Sequence, residues 1–522
     1  QKAIIAKPDY AQPYNNLGNA RSNIGRDTEA ILDFTKAILV KPNFAEACNN
    51  LAVMLHMLGD YENSENYYHK AFTFKPKYTD AYINLNSMLR EAGYYEKAHA
   101  ILESPLKGVS ANISRSLDAS LTVLLPFGRS GSIFFHSLFD GHPDISTIPG
   151  VYLKGWFSVD VWRDFAPDLK QVNWREHLVA AFMKEYEPIF DAKCKKNVRG
   201  KPFGSSRWLS RDTGFMDMGA DHSQPFIIDK SAFSKELLLL LQSLEQTNSG
   251  EFFELIHRAF DIAIREKKEL RKNPHIFYHM HNPNPIEAAN FYQHYPQAKY
   301  LIVTRSPVQG LESWMMASLN TSNTQSENIS NWKNAVQKLF DMFLQIQTPS
   351  STFDSSRGVR LEDIKNVPTL VMPQVAEWIG VSDHPSLYAS EFCGLQYWGP
   401  ASNETGKISG FNTAALDKPV GRFLGERDIM IFETLFWPYS KLYGYTDMAE
   451  KVFKKQLKEI QPWLNEPFEF EVRLYNELSY CNSSIEELGP YKRLHRFLAS
   501  LWDTLNDKGT YQNIVKPLKL HL

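Results

Sequence analysis

Residues 127–132 read Phe-Gly-Arg-Ser-Gly-Ser and follow, after Pro126, the apolar run at residues 121–125. Glycine reaches backbone angles closed to other residues, so a strand can turn sharply here with its amides pointing inward. A helix beginning at Ile133 would aim its free N–H groups and positive dipole end at the same point. Arg129 adds a planar fork of donors suited to a tetrahedral oxyanion. Gly128, Arg129, Ser130, Gly131, Ser132 and Ile133 thus form a candidate phosphate- or sulfate-binding loop. It lacks the Gly-Lys-Ser/Thr ending of an ATP-binding P-loop. A second arginine, Arg305, closes the apolar run at residues 299–304, and Ser313 follows eight residues later. Pro307 opens a helix between them, so Arg305 and Ser313 are a candidate second phosphate grip, at the carboxyl end of a strand. In Ile-Phe-Tyr-His-Met-His-Asn-Pro, residues 276–283, His279 and His281 alternate on an extended run and are expected on one side of it.

Such groups need a scaffold. Strand-then-helix segments from residue 121 onward predict an open α/β domain with a central parallel sheet. At 522 residues the chain has room for two to four domains, and 43% apolar with 22% charged residues is ordinary globular composition. The formal net charge of -2 excludes a general nucleic-acid binder, so any anion site is a local feature. Cys48, Cys194, Cys393 and Cys481 form no Cys-x-x-Cys pair, which argues against structural zinc and for reduced thiols in a cytoplasmic protein. No run approaches the ~18 apolar residues of a membrane span. Targeting is not read from a sequence that opens on Gln1.

The first hundred residues repeat themselves. Pro8, Pro42 and Pro76 stand 34 residues apart, the tetratricopeptide (TPR) period. Tyr14, Cys48 and Tyr82 fall in register, as do Leu17, Leu51 and Leu85, and Gly25, Gly59 and Gly93. Residues 1–8 fit the end of a further repeat, so more repeats are expected upstream. The expected organisation is TPR repeats over 1–103, a linker over 104–120, an α/β domain over 121–447 and a mostly helical extension over 448–522. The array offers a surface for a protein partner or acts as a spacer.

The two anion motifs, in this order and separation, resemble the sulfotransferase family, whose donor is 3′-phosphoadenosine 5′-phosphosulfate (PAPS). Residues 126–145 look like the family's 5′-phosphosulfate loop, with Arg129 at its basic position. Residues 302–313 look like its 3′-phosphate motif, with Arg305 and Ser313 in the matching roles. Residues 358–381 resemble its later strand, turn and helix, and the resemblance spans roughly 121–445. It implies a P-loop-type α/β fold and a sulfuryl transfer from PAPS to an acceptor hydroxyl or amine, without a metal. His281 followed by Asn-Pro resembles the segment carrying the base of cytosolic sulfotransferases, with His279 where they have lysine. Phe226 to Phe233, Phe-Ile-Ile-Asp-Lys-Ser-Ala-Phe, resembles a segment of carbohydrate sulfotransferases. There Lys230 would steady the sulfate and Asp229 would orient it or act as base; the plain alternative is a solvated ion pair at a strand end. Lys418 and Arg422, in a stretch similar to the family's late nucleotide loop, would reach phosphates. Residues 160–220, with Trp162, Trp174 and Trp208, and Lys154 nearby, fall to the acceptor side.

Two other functions remain at this level: a TPR scaffold with a catalytically silent nucleotide-binding domain, and an unrelated P-loop kinase. The acceptor is open between a glycan, a lipid, a protein tyrosine and a small molecule.

Overall fold

The computed structural model describes the chain apart from residues 1–6, 8, 107–119, 151, 154, 159–160, 163–165, 167–170, 195–214, 265–273, 320–324, 348–351, 400–409, 414–415, 417, 479–483 and 521–522. Most of the expected linker, Lys154 and Trp208 therefore lie outside the described residues, as do Cys481 and much of the stretch before Lys418. The chain forms two compact units. One gathers Gln1–Pro105, Ser306–Thr348 and Pro419–Ile514; the other gathers Leu106–Arg305, Pro349–Lys418 and Val515–Leu522.

In the first unit the repeats fold as helix pairs: Ala11–Asn23 with Asp27–Val40, Ala45–Leu58 with Tyr61–Phe74, and Thr79–Glu91 with Tyr95–Ala100. Gly59 ends its helix at φ 87°, a left-handed turn that costs other residues energy. Small residues let the helices close on one another: Ala30, Ala37, Ala47, Ala52, Ala71 and Ala81 are fully buried. A polar tie joins the two helices of successive pairs at equivalent positions. Ser64 Oγ donates to the Ala52 carbonyl at 2.7 Å, and Asn86 Nδ2 donates to the Ala98 carbonyl at 2.6 Å.

Later helices complete this unit. Gly489–Lys508 packs on Ala45–Leu58, and Gln325–Gln345 touches Ala11–Asn23. Arg493 donates through Nε and Nη2 to the Glu91 carboxylate, and through Nη1 to Gln337 Oε1 at 3.1 Å. His56 Nε2 lies 2.8 Å from Glu91 Oε2. Burial alone would raise the Glu91 pKa, but Arg493 and His56 outweigh it and hold it down at about 2. For His56 burial wins over the Glu91 charge and lowers the pKa, so it serves as a neutral N–H donor. Lys333 Nζ donates to the Ser22 carbonyl at 2.6 Å, and Asp27 Oδ2 accepts from the Gly489 amide at 3.2 Å.

The second unit is built on a parallel five-stranded sheet, order β2-β3-β1-β4-β5. The strands are β1 (Leu121–Pro126), β2 (Ile145–Ser146), β3 (His275–His279), β4 (Lys299–Thr304) and β5 (Ser356–Arg360). Along β1, Val123 faces one core with Tyr278 and Tyr300, and Leu124 faces the other with Leu301 and Val359. Helices cover both faces, so the central strands β1 and β4 read as nearly unbroken apolar runs. On the first face lie Trp174–Glu185, Lys230–Leu241, Ser249–Ile264 and Pro285–His294. On the second lie Ser132–Ser137, Leu361–Asn366 and Pro368–Ile379, the last ending at Gly380 with φ 99°. No helix among the described residues is long and apolar enough to cross a membrane.

Candidate anion-binding site

The chain leaves β1 to build β2 and β3 on one side, then crosses to build β4 and β5 on the other. Strand order therefore reverses at β1, the place where ligands bind in open parallel sheets, at the carboxyl ends. Register fixes what meets there. Leu124 pairs with His279, and Pro126 pairs with Val303. The loop after β1, the His279–His281 segment and Arg305 thus emerge at one edge.

The loop has the geometry its glycines require. Gly128 has φ 52° and Gly131 has φ 72°, both left-handed. Gly131 caps the Ser132–Ser137 helix, and a Cβ there would stand 3.3 Å from Leu361 side-chain carbons. Ser130 is buried and its Oγ accepts from the Phe127 amide at 3.2 Å, which braces the turn. The helix is short, so backbone amides and the Arg129 guanidinium, more than a dipole, are the groups here that could hold an anion. The Arg129 side chain reaches solvent, yet desolvation by its surroundings pulls its pKa below the ordinary value. An arginine has margin enough to stay protonated.

Arg305 is only 6% exposed, and its Nη1 donates to the Arg129 carbonyl at 3.0 Å. Two arginines 176 positions apart in sequence thereby share one loop. Beside them β3 ends at His279, so His281 stands past the strand and the strict alternation expected of the two histidines stops there. Their rings are 5.7 Å apart and nearly perpendicular, at 84°. His279 is fully buried, and burial first, then the neighbouring His136 and His281, hold its pKa well below the ordinary value. His281 is half-buried. Asn282 turns sharply at φ 47°, and Asn284 Oδ1 caps the Pro285–His294 helix through the Glu287 amide at 2.9 Å. The Asn-Pro-Asn-Pro run is therefore the device that stops the strand and starts the helix.

His136, on the loop helix, is a packed core residue. Thr147 Oγ1 spends its one proton on the Phe277 carbonyl at 2.6 Å, so His136 Nε2 must donate to it, also at 2.6 Å. Burial lowers the His136 pKa to about 3.

Ser313 is half-buried on the Pro307–Ser318 helix, in the first unit, which the chain enters at Ser306. Its neighbour Glu312 is fully buried and accepts from the amides of Gly421, Phe423 and Leu424 at 3.0, 2.8 and 3.1 Å. Arg422, expected to reach a phosphate, has its Nε 3.3 Å from Glu312 Oε2. Nothing local in the sequence marks Glu312 as the anchor of a loop more than a hundred residues away. Asp229 is the N-cap of the Lys230–Leu241 helix, its Oδ1 accepting from Ser231 and Ala232 amides at 2.8 and 3.2 Å. Lys230 Nζ pairs with Glu187 Oε1 at 2.9 Å. The preceding residues form an isolated bridge, Asp191 with Ile227, and not a strand of the sheet. Among the described residues no group of three or more His, Cys, Asp or Glu side chains is placed to hold a metal.

The tetratricopeptide repeat family matches at residues 11–44 and again at 44–75. Residues 11–75 are tetratricopeptide repeats, and the Thr79–Glu91 and Tyr95–Ala100 helices continue them. No curated protein matches the chain. Among solved structures it is similar to the sulfotransferase domain of the Synechococcus PCC 7002 olefin synthase, at 13% identity and TM-score 0.32, over 64% of this chain and 99% of that one. It is similar to sulfotransferase STF9 from Mycobacterium avium at 10% identity and TM-score 0.27, over 78% and 97%. MamA aligns at 23% identity and TM-score 0.20, over 22% of this chain and 66% of MamA's own length.

Proposed function

We propose that the α/β unit is a sulfotransferase domain that binds PAPS and transfers its sulfuryl group to an acceptor hydroxyl or amine. The observation that carries this reading is the Arg305–Arg129 hydrogen bond, which ties the two arginine motifs to one carboxyl edge of the sheet. The glycine-permitted turn, its amides and the two guanidinium groups fit a nucleotide with two separate anionic groups. When bound, the donor supplies an activated sulfuryl group on a phosphosulfate anhydride. Arg129 and the loop amides stabilise negative charge at the bridging oxygen. Arg305 takes the 3′-phosphate and braces the loop. Transfer breaks the sulfur–bridging-oxygen bond and forms a bond from sulfur to the acceptor atom. His281 receives the acceptor proton, since it stands at the same edge and is the accessible member of the histidine pair. Lys230 is the weaker candidate, because its charge is matched by Glu187. The repeats add a surface for a protein partner.

Thermal unfolding with adenosine 3′,5′-bisphosphate, against ADP and ATP with and without magnesium, tests the reading. The bisphosphate at 100 times its Kd should stabilise by roughly 2.7 kcal/mol, with or without magnesium. Stabilisation by magnesium-ATP alone would refute it in favour of a kinase.

A further inference from the structure

A groove of about 590 Å³ opens beside the loop helix, lined by Tyr388, Ser390, Glu391, Gln396, Phe411 and Asn412 among others. That volume suits a small molecule, for which sites run roughly 300–1,000 Å³. One wall is a hairpin of Glu391–Phe392 and Leu395–Gln396. Asp140 fixes its turn by accepting from the Cys393 amide at 2.6 Å, where Cys393 is held at φ 50°. Ser137 and Ser390 hydroxyls meet at 2.7 Å and fasten this wall to the loop helix. The other wall, residues 410–412, is fastened by Lys365, whose Nζ donates to the Gly410 and Asn412 carbonyls at 2.7 and 2.8 Å. Phe411 meets Phe134 edge to face at 5.3 Å. A Cβ on Gly410 would fall 2.9 Å from Ser390 Cβ and 3.1 Å from the Phe134 ring, so the approach needs glycine. Phe134 lies about 5 Å along the helix from Gly131, one turn from the anion loop. Both walls are thus tied to the helix that the loop begins.

The lining chemistry is selective. It has two aromatic rings, neutral hydroxyl and amide groups from Ser390, Gln396 and Asn412, and one carboxylate, Glu391. No lysine or arginine lines it among the described residues. Anionic acceptors are disfavoured by Glu391, and a lipid tail would gain nothing from a carboxylate and amide groups. Sugar rings present hydroxyls to the amides and carboxylate and C–H faces to the aromatic rings.

We propose that this groove binds a neutral saccharide as the acceptor, an assignment that rests on the sulfotransferase reading above. The test uses the full chain with adenosine 3′,5′-bisphosphate present. A neutral β-linked glucose tetrasaccharide and its N-acetylated counterpart are titrated by ligand-observed NMR beside a sulfated tetrasaccharide and a simple phenol. The neutral sugars should bind more tightly than the other two. Phe411→Ala and, separately, the exposed Asn412→Ala should each weaken that binding, roughly tenfold for the ring, with bisphosphate affinity unchanged. If the bisphosphate binds but neither neutral sugar does, or both variants keep full sugar affinity, the groove assignment fails and the donor reading stands. If the bisphosphate does not bind, both fail.

Discussion

The arginines do separable things, and substitution should show it. Arg305 is buried and holds the loop from beneath, so Arg305→Ala should mainly weaken bisphosphate affinity in a titration. In the proposed function Arg129 faces the reacting charge, so Arg129→Ala should also cut kcat, by roughly 10²–10³-fold as for loss of one oxyanion donor. His281→Ala should remove most turnover while bisphosphate affinity holds; the same pattern from Lys230→Ala instead would move the base there. The buried histidines set a separate, pH-linked behaviour. Burial lowers His136, His257 and His275 to about 3 and His294 to about 4. Between those values and the ordinary ~6.5 the unfolded chain binds protons that the folded chain refuses. Their contribution to stability is therefore full above about pH 6.5 and is lost as pH falls toward 4. Urea melts from pH 7 to 4.5 should show this loss, and His294→Gln should reduce the slope by about one proton. The turns that carry Arg129 and Arg305 were legible in the sequence because each follows an apolar strand and precedes a helix start. The anchoring by Glu312 was not, since its partners lie more than a hundred residues along the chain.

At the level of elements, the loop after β1 depends on one backbone angle. Gly131→Ala forces a Cβ into a left-handed residue, at about 1–2 kcal/mol. Gly93 offers the matched control, with φ 79° and open space around it. Both alanine variants should lose stability in denaturant melts, Gly131→Ala somewhat more because of the Leu361 contact, but only Gly131→Ala should lose bisphosphate affinity. Equal affinity in both would remove the loop from the donor site. Local pattern was enough to read the strand at 299–304 and the helix that ends before Gly380. It was not enough to read the sheet order, because hydrogen-bonding between β1 and β3 or β4 is decided by packing on both faces.

At the scale of the molecule, the repeats were plain in the sequence and their partners were not. An amphipathic helix announces a buried face without naming what covers it. The cover for Ala45–Leu58 is Gly489–Lys508, joined by Arg496 Nη2 donating to the Leu58 carbonyl at 2.8 Å, while Arg493 ties the same long helix to Glu91 at the end of Thr79–Glu91. Arg493→Ala leaves a buried carboxylate without its main counter-charge and should destabilise this unit by about 3–5 kcal/mol. The Glu91→Met, Arg493→Met double variant should recover much of that loss, and a double-mutant cycle in urea would measure the coupling.

Each unit takes three separate stretches of the chain. The repeats therefore cannot be handed on as a detachable cassette. A recombination that trimmed them at residue 105, or fused them to another enzyme, would carry off the residues that neutralise Arg493 and cap Lys333. Shuffling of such repeats between genes should succeed only where the far-downstream helices travel with them, so the inheritance of this arrangement is expected to be all or nothing.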